Sequence, residues 1–298
     1  MSTPRKALVR TPRCRCAHVN TRRESVSGRP GHYKNTPGLL PAASPCYATS
    51  HSPATAIQSV RQALFTRTGK EDFVEFSARH IAALIDHTLL RPDADEAALR
   101  ALCNEAVHYG FATATVNSAW ASLCAKHLAG SGVRVNACVS FPLGATPTLI
   151  KVAEARQAVD DGAGEVDMVI NVGALKSGAL EYVERDIASV VSAIPGIPVK
   201  VILETCYLTR EENVLVCQMG MRAGAAFVKT STGFGPHGAT LEDVRLMRNT
   251  VGQTCGVKAA GGIRTLEILK AMVDAGAARI GTSAGIRILG ELAVEGTS

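Results

Sequence analysis

Aromatic residues are scarce, with one Trp, five Tyr and seven Phe in 298 residues. Few rings leave few planes on which bases could stack, so no nucleic-acid partner is expected. No CxxC pair occurs among the nine cysteines, which removes the usual spacing of a zinc site. No run of 18 apolar residues is present, so no membrane partner is expected either. HExxH and Walker A elements are also missing.

What remains is a chain that is 46% hydrophobic and rich in Ala, Val, Ile and Gly, a mixture suited to a layered α/β core. Its net charge of +6 is unevenly placed. Residues 1–57 hold nine Lys or Arg and a single acid, Glu24, while the rest of the chain is slightly acidic. The basicity therefore belongs to a tail rich in Arg, Ser, Thr, Pro and Gly, expected to be disordered in isolation. Such a composition fits an organellar transit peptide or a dispensable extension equally well. Residues 58–79, within and after IQSVRQALF, could form a linker helix, and residues 80–298 read as one domain. Most domain cysteines lie in apolar stretches, such as Cys138 in VNACVSF, and read as buried reduced thiols. That points to a reducing compartment, the cytoplasm, with organellar targeting left open.

Within the domain, short β-branched runs alternate with helical stretches. The expected strands are Leu84–Thr88, Phe111–Asn117, Val133–Phe141, Glu165–Asn171, Val199–Thr205, Ala226–Gly233, Gly256–Gly262 and Arg279–Thr282. Helical patterns fall between them, over Thr148–Asp161, Leu180–Ala193 and Thr209–Ala223. In the last, Thr209 and Glu212 form a capping-box signature. Several helices end in an Asp-Gly or Ala-Gly step, at Gly162, Gly224 and Gly276, where glycine supplies the left-handed residue after the helix. Eight βα units in about 220 residues fit a closed (β/α)8 TIM barrel. A doubly wound open sheet is the competing arrangement.

In such a barrel the site lies at the C-terminal ends of the strands. Polar residues in or just after apolar strands are then the candidates: Asp86, Asp167, Lys200, Glu204, Lys229 and Lys258. Lys229 in FVKTSTG and Lys258 in GVKAAGG fall in consecutive strands, about 4.8 Å apart. A Schiff-base lysine must be uncharged to attack a carbonyl, and burial beside a second cation favours that state. Which lysine attacks does not follow from this pairing. Asp167 in EVDMVIN is placed to accept and return protons, or to serve as an ion-pair partner. Lys200 and Glu204, four apart on one expected strand, would share a face as site or support.

The exits STG, AAGGIRT and GTSAG look like phosphate cradles, since small residues let backbone N–H groups approach an anion, although plain tight turns also fit. Gly233, Gly235 and Gly238 spell GxGxxG. The following strand lacks the acid of a dinucleotide site and carries Lys258 instead, which argues against NAD.

Seven segments in order, IDHTLLRPDA, SFPLGA, GAGEVDMVINVGALKSG, KVILETCYLT, FVKTSTGF, VKAAGGIRT and RIGTSAG, resemble the deoxyribose-phosphate aldolase family. The resemblance covers roughly residues 80 to 290. It implies a class I aldolase that cleaves 2-deoxyribose 5-phosphate to acetaldehyde and glyceraldehyde 3-phosphate, with no metal and no other cofactor. It further implies Lys229 as the Schiff-base lysine, Lys258 as the lysine that perturbs it, and Asp167 as the proton-transfer carboxylate. Asp86, Thr88, Lys200 and Thr232 match substrate-contacting positions, and Gly233, Gly261, Gly262 and Ser283 match the phosphate grip. The implied partner is a small phosphosugar, and a homodimer is expected. The chain departs from the family at Thr115 and Ser118 in ATVNSAW, at Pro236 and His237 in FGPHGAT, and in AAGG for the commoner ASGG. The loop change bears on acceptor breadth, not on the chemistry. Another Schiff-base aldolase, or a barrel that binds a phosphosugar without turning it over, are the alternative readings.

Overall fold

The computed structural model describes residues 77–295. The basic tail and all but the last three residues of the expected linker helix lie outside that range. Ser77 caps α1 (Ala78–Leu84) by accepting from His80 N–H. The strands are β1 (Ile85–Leu89), β2 (Thr113–Asn117), β3 (Arg134–Val139), β4 (Ala163–Val169), β5 (Val199–Ile202), β6 (Phe227–Lys229), β7 (Gly256–Ala260) and β8 (Arg279–Thr282). Each pairs in parallel with the next, and β8 pairs with β1, so the barrel closes. Closure removes the open-sheet alternative.

Helices fill every crossover: α2 (Glu96–Tyr109), α3 (Ala121–Leu128), α4 (Thr148–Asp160), α5 (Val172–Lys176), α6 (Leu180–Ala193), α7 (Arg210–Arg222), α8 (Leu241–Val251) and α9 (Leu266–Asp274); α10 (Gly285–Glu295) follows β8. The capping box at Thr209 and Glu212 is formed in both directions at the start of α7. Gly162, Gly224 and Gly276 all take positive φ just after helices.

Strand alternation divides the molecule into two chemistries. Ile85, Val116, Val135, Val139, Val166, Met168, Val201, Val228, Val257 and Ile280 point outward and are buried against the helices. Burial of each stabilises the fold by about 2 kcal/mol, so the sheet is held from its outer face. The alternate residues point into the barrel and are mostly polar or charged, including Asp86, Asn136, Glu165, Asp167, Lys200, Lys229 and Lys258.

The strands are shorter than the apolar runs suggest. β5 ends at Ile202, and Glu204 takes φ +57°, in the left-handed region. Lys200 and Glu204 therefore do not share a strand face. Lys200 points into the barrel, whereas Glu204 belongs to the loop beyond it. β6 stops at Lys229, which leaves residues 230–240 as a long loop over the C-terminal end.

Candidate active site

The interior can be read upward from the closed end. Arg279, at the start of β8, donates to Asp86 Oδ1 at 2.7 Å and to Glu165 Oε2 at 3.2 Å. Its guanidinium lies over the Phe227 ring, 5.4 Å from the centroid. Gly256 makes room for that ring, since a Cβ there would lie 2.3 Å from it. One layer up, Lys200 Nζ lies 2.6 Å from Glu165 Oε2, 3.0 Å from Asp167 Oδ1 and 2.8 Å from Asn136 Oδ1. Thr113 Oγ1 donates to Asp86 Oδ1 at 2.8 Å. Lys258 Nζ lies 2.5 Å from Asp86 Oδ2 and 2.8 Å from Asp167 Oδ2. Lys229 Nζ donates to the same Asp167 oxygen at 2.7 Å.

Lys229 and Lys258 are register partners across β6 and β7. The two expected lysines therefore meet at equal depth, with Asp167 between them. Lys200 and Lys258 are fully buried, while Lys229 retains 3% exposure. It is the only one of the three with any opening to solvent.

Opposing effects set the charge states. Burial pushes the Asp86 carboxyl up, but Arg279, Lys258 and Lys200 together outweigh it and hold it far below the usual range. Asp167 behaves likewise. Burial raises it, and Lys200, Lys229 and Lys258 bring it well below the ordinary value. Burial pushes the Lys258 ammonium down, yet Asp167 and Asp86 overcome this and raise it above the ordinary lysine value. Lys258 is thus a firmly held ammonium, and Asp167 is an ionised acceptor in contact with three amines, Lys200 on Oδ1 and Lys229 and Lys258 on Oδ2.

Over this cluster lie the loops. Thr88, the next inward residue on β1 after Asp86, donates its hydroxyl to the Asp86 carbonyl at 2.8 Å. Thr232 is turned toward Glu204: its N–H donates to Oε1 at 3.1 Å and its hydroxyl donates to Oε2. Gly233, Gly261 and Gly262 all have positive φ. A Cβ on Gly261 would lie 2.9 Å from Gly238 Cα and 3.5 Å from Gly233 Cα, so the exits of β6 and β7 pack backbone to backbone. Ser283 is exposed in the turn between β8 and α10. Residues 281–285 also spell GxSxG, but the hydrogen bonds of His87, His127 and His237 go to Glu105, Asn104 and Gly238, not to Ser283. Pro236 and His237 stand exposed on the loop beyond β6.

The structure thus brings Asp86, Asp167, Lys200, Lys229 and Lys258 into one bonded cluster, with Thr88 above and the glycine exits around the mouth. Three members escape a search of strand ends: Glu165, Asn136 and Arg279. They lie at the closed end. The signal for Glu165 was nevertheless present, because it precedes Asp167 by two and so shares its face. Among the described residues no group of three or more His, Cys, Asp or Glu is arranged to hold a metal ion.

Comparison with known proteins agrees with this geometry. Residues 80–290 match the family described as DeoC/LacD family aldolase. A deoxyribose-phosphate aldolase from Thermococcus gammatolerans is 56% identical over 213 residues, covering 70% of this chain and 95% of that protein. One from Thermoanaerobacter sp. (strain X514) is 54% identical over 215 residues, covering 71% and 96%. Among solved structures, a deoxyribose phosphate aldolase from Aeropyrum pernix, described as having a unique tetrameric structure, superposes with a TM-score of 0.68 at 33% identity. That match covers 79% of this chain and 97% of the other.

Proposed function

The chain belongs to the DeoC/LacD aldolase family, and from that premise we propose that it cleaves 2-deoxy-D-ribose 5-phosphate reversibly to acetaldehyde and D-glyceraldehyde 3-phosphate, through a Schiff base on Lys229. The observation that carries the site assignment is the in-register pair Lys229 and Lys258 sharing one oxygen of Asp167.

Lys229 is the attacking amine because it alone of the three lysines has an opening to solvent and only one carboxylate oxygen in contact. Its free amine adds to C1 of the open-chain aldehyde and forms a carbinolamine. Lys258 donates a proton through Asp167 to the departing hydroxyl, water leaves, and a protonated imine forms. Asp167 is too acidic to keep that proton and so relays it from Lys258 to the hydroxyl. The iminium withdraws electrons from C2. As the C3 hydroxyl gives its proton to the Lys258 amine left neutral by the earlier step, the C2–C3 pair moves into the developing enamine and glyceraldehyde 3-phosphate departs. Lys258 returns that proton to the enamine at the former C2, and hydrolysis of the resulting iminium releases acetaldehyde, frees the Lys229 amine and gives Lys258 back its own proton.

Asp86 holds Lys258 in place from the opposite side, while Thr88 and Thr232 line the mouth where the sugar hydroxyls lie. The phosphate sits over Gly233, Gly261, Gly262 and Ser283, where small residues expose backbone N–H groups at the loops after β6, β7 and β8. Its binding energy orients the reacting carbon. The reaction proceeds without metal or organic cofactor.

Six cysteines of the domain are free thiols, which suits a reducing compartment, the cytoplasm. Among the described residues no helix is long and apolar enough to cross a membrane. A homodimer is proposed, with size-exclusion chromatography coupled to light scattering as its check.

Borohydride reduction in the presence of acetaldehyde, followed by peptide mass mapping, tests the reading. The expected result is one ethyl adduct, on Lys229. An adduct on another lysine, or none, would sink it.

A further inference from the structure

The barrel interior holds more basic than acidic side chains, and the additional one is Arg279 at the start of β8, which shares the Asp86 carboxylate with Lys258. Every strand contributes to the interior around Lys229. β1 brings Asp86. β2 brings the uncharged Thr113 and Thr115. β3 brings Asn136 and Cys138, whose thiol is pushed up to about 12 by burial and so is uncharged at neutral pH. β4 brings Glu165 and Asp167, β5 Lys200, β7 Lys258 and β8 Arg279. Beyond β5, the Glu204 carboxylate is turned to Thr232. At the outer rim, half-exposed Arg134 pairs with Glu165 at 2.7 Å. Four cations, Lys200, Lys229, Lys258 and Arg279, thus share three interior carboxylates. A guanidinium does not give up its proton, so any adjustment falls on a lysine.

We propose that Arg279 is a positioning residue for Schiff-base formation: by occupying Asp86 and Glu165 from below, it leaves the three lysines short of one counter-charge, and the shortage falls on Lys229. The contacts show why it falls there. Lys258 touches two carboxylates, at 2.5 and 2.8 Å. Lys200 has Glu165 and Asp167 within 3.0 Å, with Asn136 as well. Lys229 has one oxygen of Asp167, which it shares with Lys258. Lys229 is thus the member of the set with the least carboxylate compensation. The buried guanidinium therefore acts on the nucleophile through charge balance, without touching it or the substrate. This inference rests on Lys229 being the nucleophile.

The test is the pH dependence of borohydride trapping with acetaldehyde, read by mass on Lys229, in the wild type and in Arg279→Gln, Glu165→Gln, Arg279→Lys and the Arg279→Gln/Glu165→Gln double variant. Loss of the guanidinium should move the trapping midpoint up by about one pH unit, and loss of the Glu165 charge should move it down by about as much. Arg279→Lys keeps the charge and the double variant restores the balance, so both should return toward the wild-type midpoint. A merely structural role would lower the yield in all variants without moving the midpoints in opposite directions. Unmoved midpoints, or shifts of the same sign, overturn the proposal. If Arg279→Gln fails to fold, Glu165→Gln decides by itself, and an unchanged or upward midpoint overturns it. An adduct elsewhere than Lys229 in the wild type would instead overturn the nucleophile assignment, and this inference with it.

Discussion

Lys229 and Lys258 occupy paired register positions on β6 and β7 and reach the same oxygen of Asp167, at 2.7 and 2.8 Å. Their roles nevertheless differ, because Lys258 also holds Asp86 at 2.5 Å. Replacing Lys229 by Leu should abolish both turnover and adduct formation. Replacing Lys258 by Met should leave a trappable Lys229 while lowering kcat by roughly 10²-fold or more, as expected for loss of an acid–base partner. Trapping and steady-state rates measured on both variants check this. An adduct on Lys258 in the Lys229→Leu protein would reverse the assignment.

Asp167 is the shared acceptor of three amines, so Asp167→Asn separates proton transfer from position. The amide preserves size but accepts with one oxygen and carries no charge. The expected loss in kcat is about 10² to 10⁴-fold, with a small change in KM. The buried Lys258 ammonium also loses one of its two counter-charges, which should lower stability by about 3 kcal/mol. Kinetics and urea unfolding on the same preparation read the two effects separately. Near-normal kcat in a destabilised protein would assign Asp167 to structure alone.

The bonded charge cluster was legible in the sequence because a charge inside a β-branched run has few structural excuses: Lys229, Lys258 and Asp167 all declare themselves that way. Counting strands and glycine-ended helices pointed to a barrel, with the open sheet as competitor until the pairing of β8 with β1 removed it. Less visible was the closed end, where Arg279 begins a strand and looks like an ordinary surface arginine. Only the closed barrel brings it beside Asp86, 193 positions earlier in the chain. Glu204 was misplaced for a different reason. The apolar run continues through Leu203, but the backbone turns left-handed one residue later, and periodicity carries no sign of φ.

His87 offers a pH test that is independent of the site. It faces outward from β1, packs on Phe111 and contacts Glu105 at 2.7 Å. Burial pushes its imidazole below the ordinary 6.5, and the Glu105 carboxylate only partly offsets this. A folded-state value below the unfolded one means that the unfolded chain binds the extra proton first. Stability should therefore be fully present above pH 6.5 and decline as the pH falls below it. Melting temperatures from pH 7.5 to 5 should show that decline in the wild type and a flatter profile in His87→Gln, which keeps a donor for Glu105. Identical slopes would refute the assignment.

Glu204 receives both the N–H and the hydroxyl of Thr232 and so fixes the loop that carries Gly233. Acetaldehyde has no phosphate and does not depend on that loop. Glu204→Ala should raise KM for deoxyribose 5-phosphate about tenfold while trapping of acetaldehyde on Lys229 stays close to wild type. The tenfold figure corresponds to the loss of one charge-assisted hydrogen bond. Equal damage to both reactions would mean that Glu204 supports the barrel instead of the loop.

Gly281 shows how closely the interior is fitted around Lys258. It lies on β8 opposite Ala260, and a Cβ built there would stand 3.0 Å from the Ala260 Cβ and 3.1 Å from Lys258 Cε. Its backbone is ordinary strand, so the objection to a side chain is contact alone. Gly281→Ala should push the Lys258 stem by a few tenths of an ångström and lengthen its contacts with Asp86 and Asp167. Because proton transfer depends steeply on that geometry, kcat should fall about tenfold or more. Stability should fall by only about 1–3 kcal/mol, the usual effect of one added methyl in a packed interior. If Lys258 is the element displaced, Gly281→Ala in a Lys258→Met background should cause little further loss of kcat, since the two changes act on one group. Full additivity in that double variant would show that the methyl acts elsewhere.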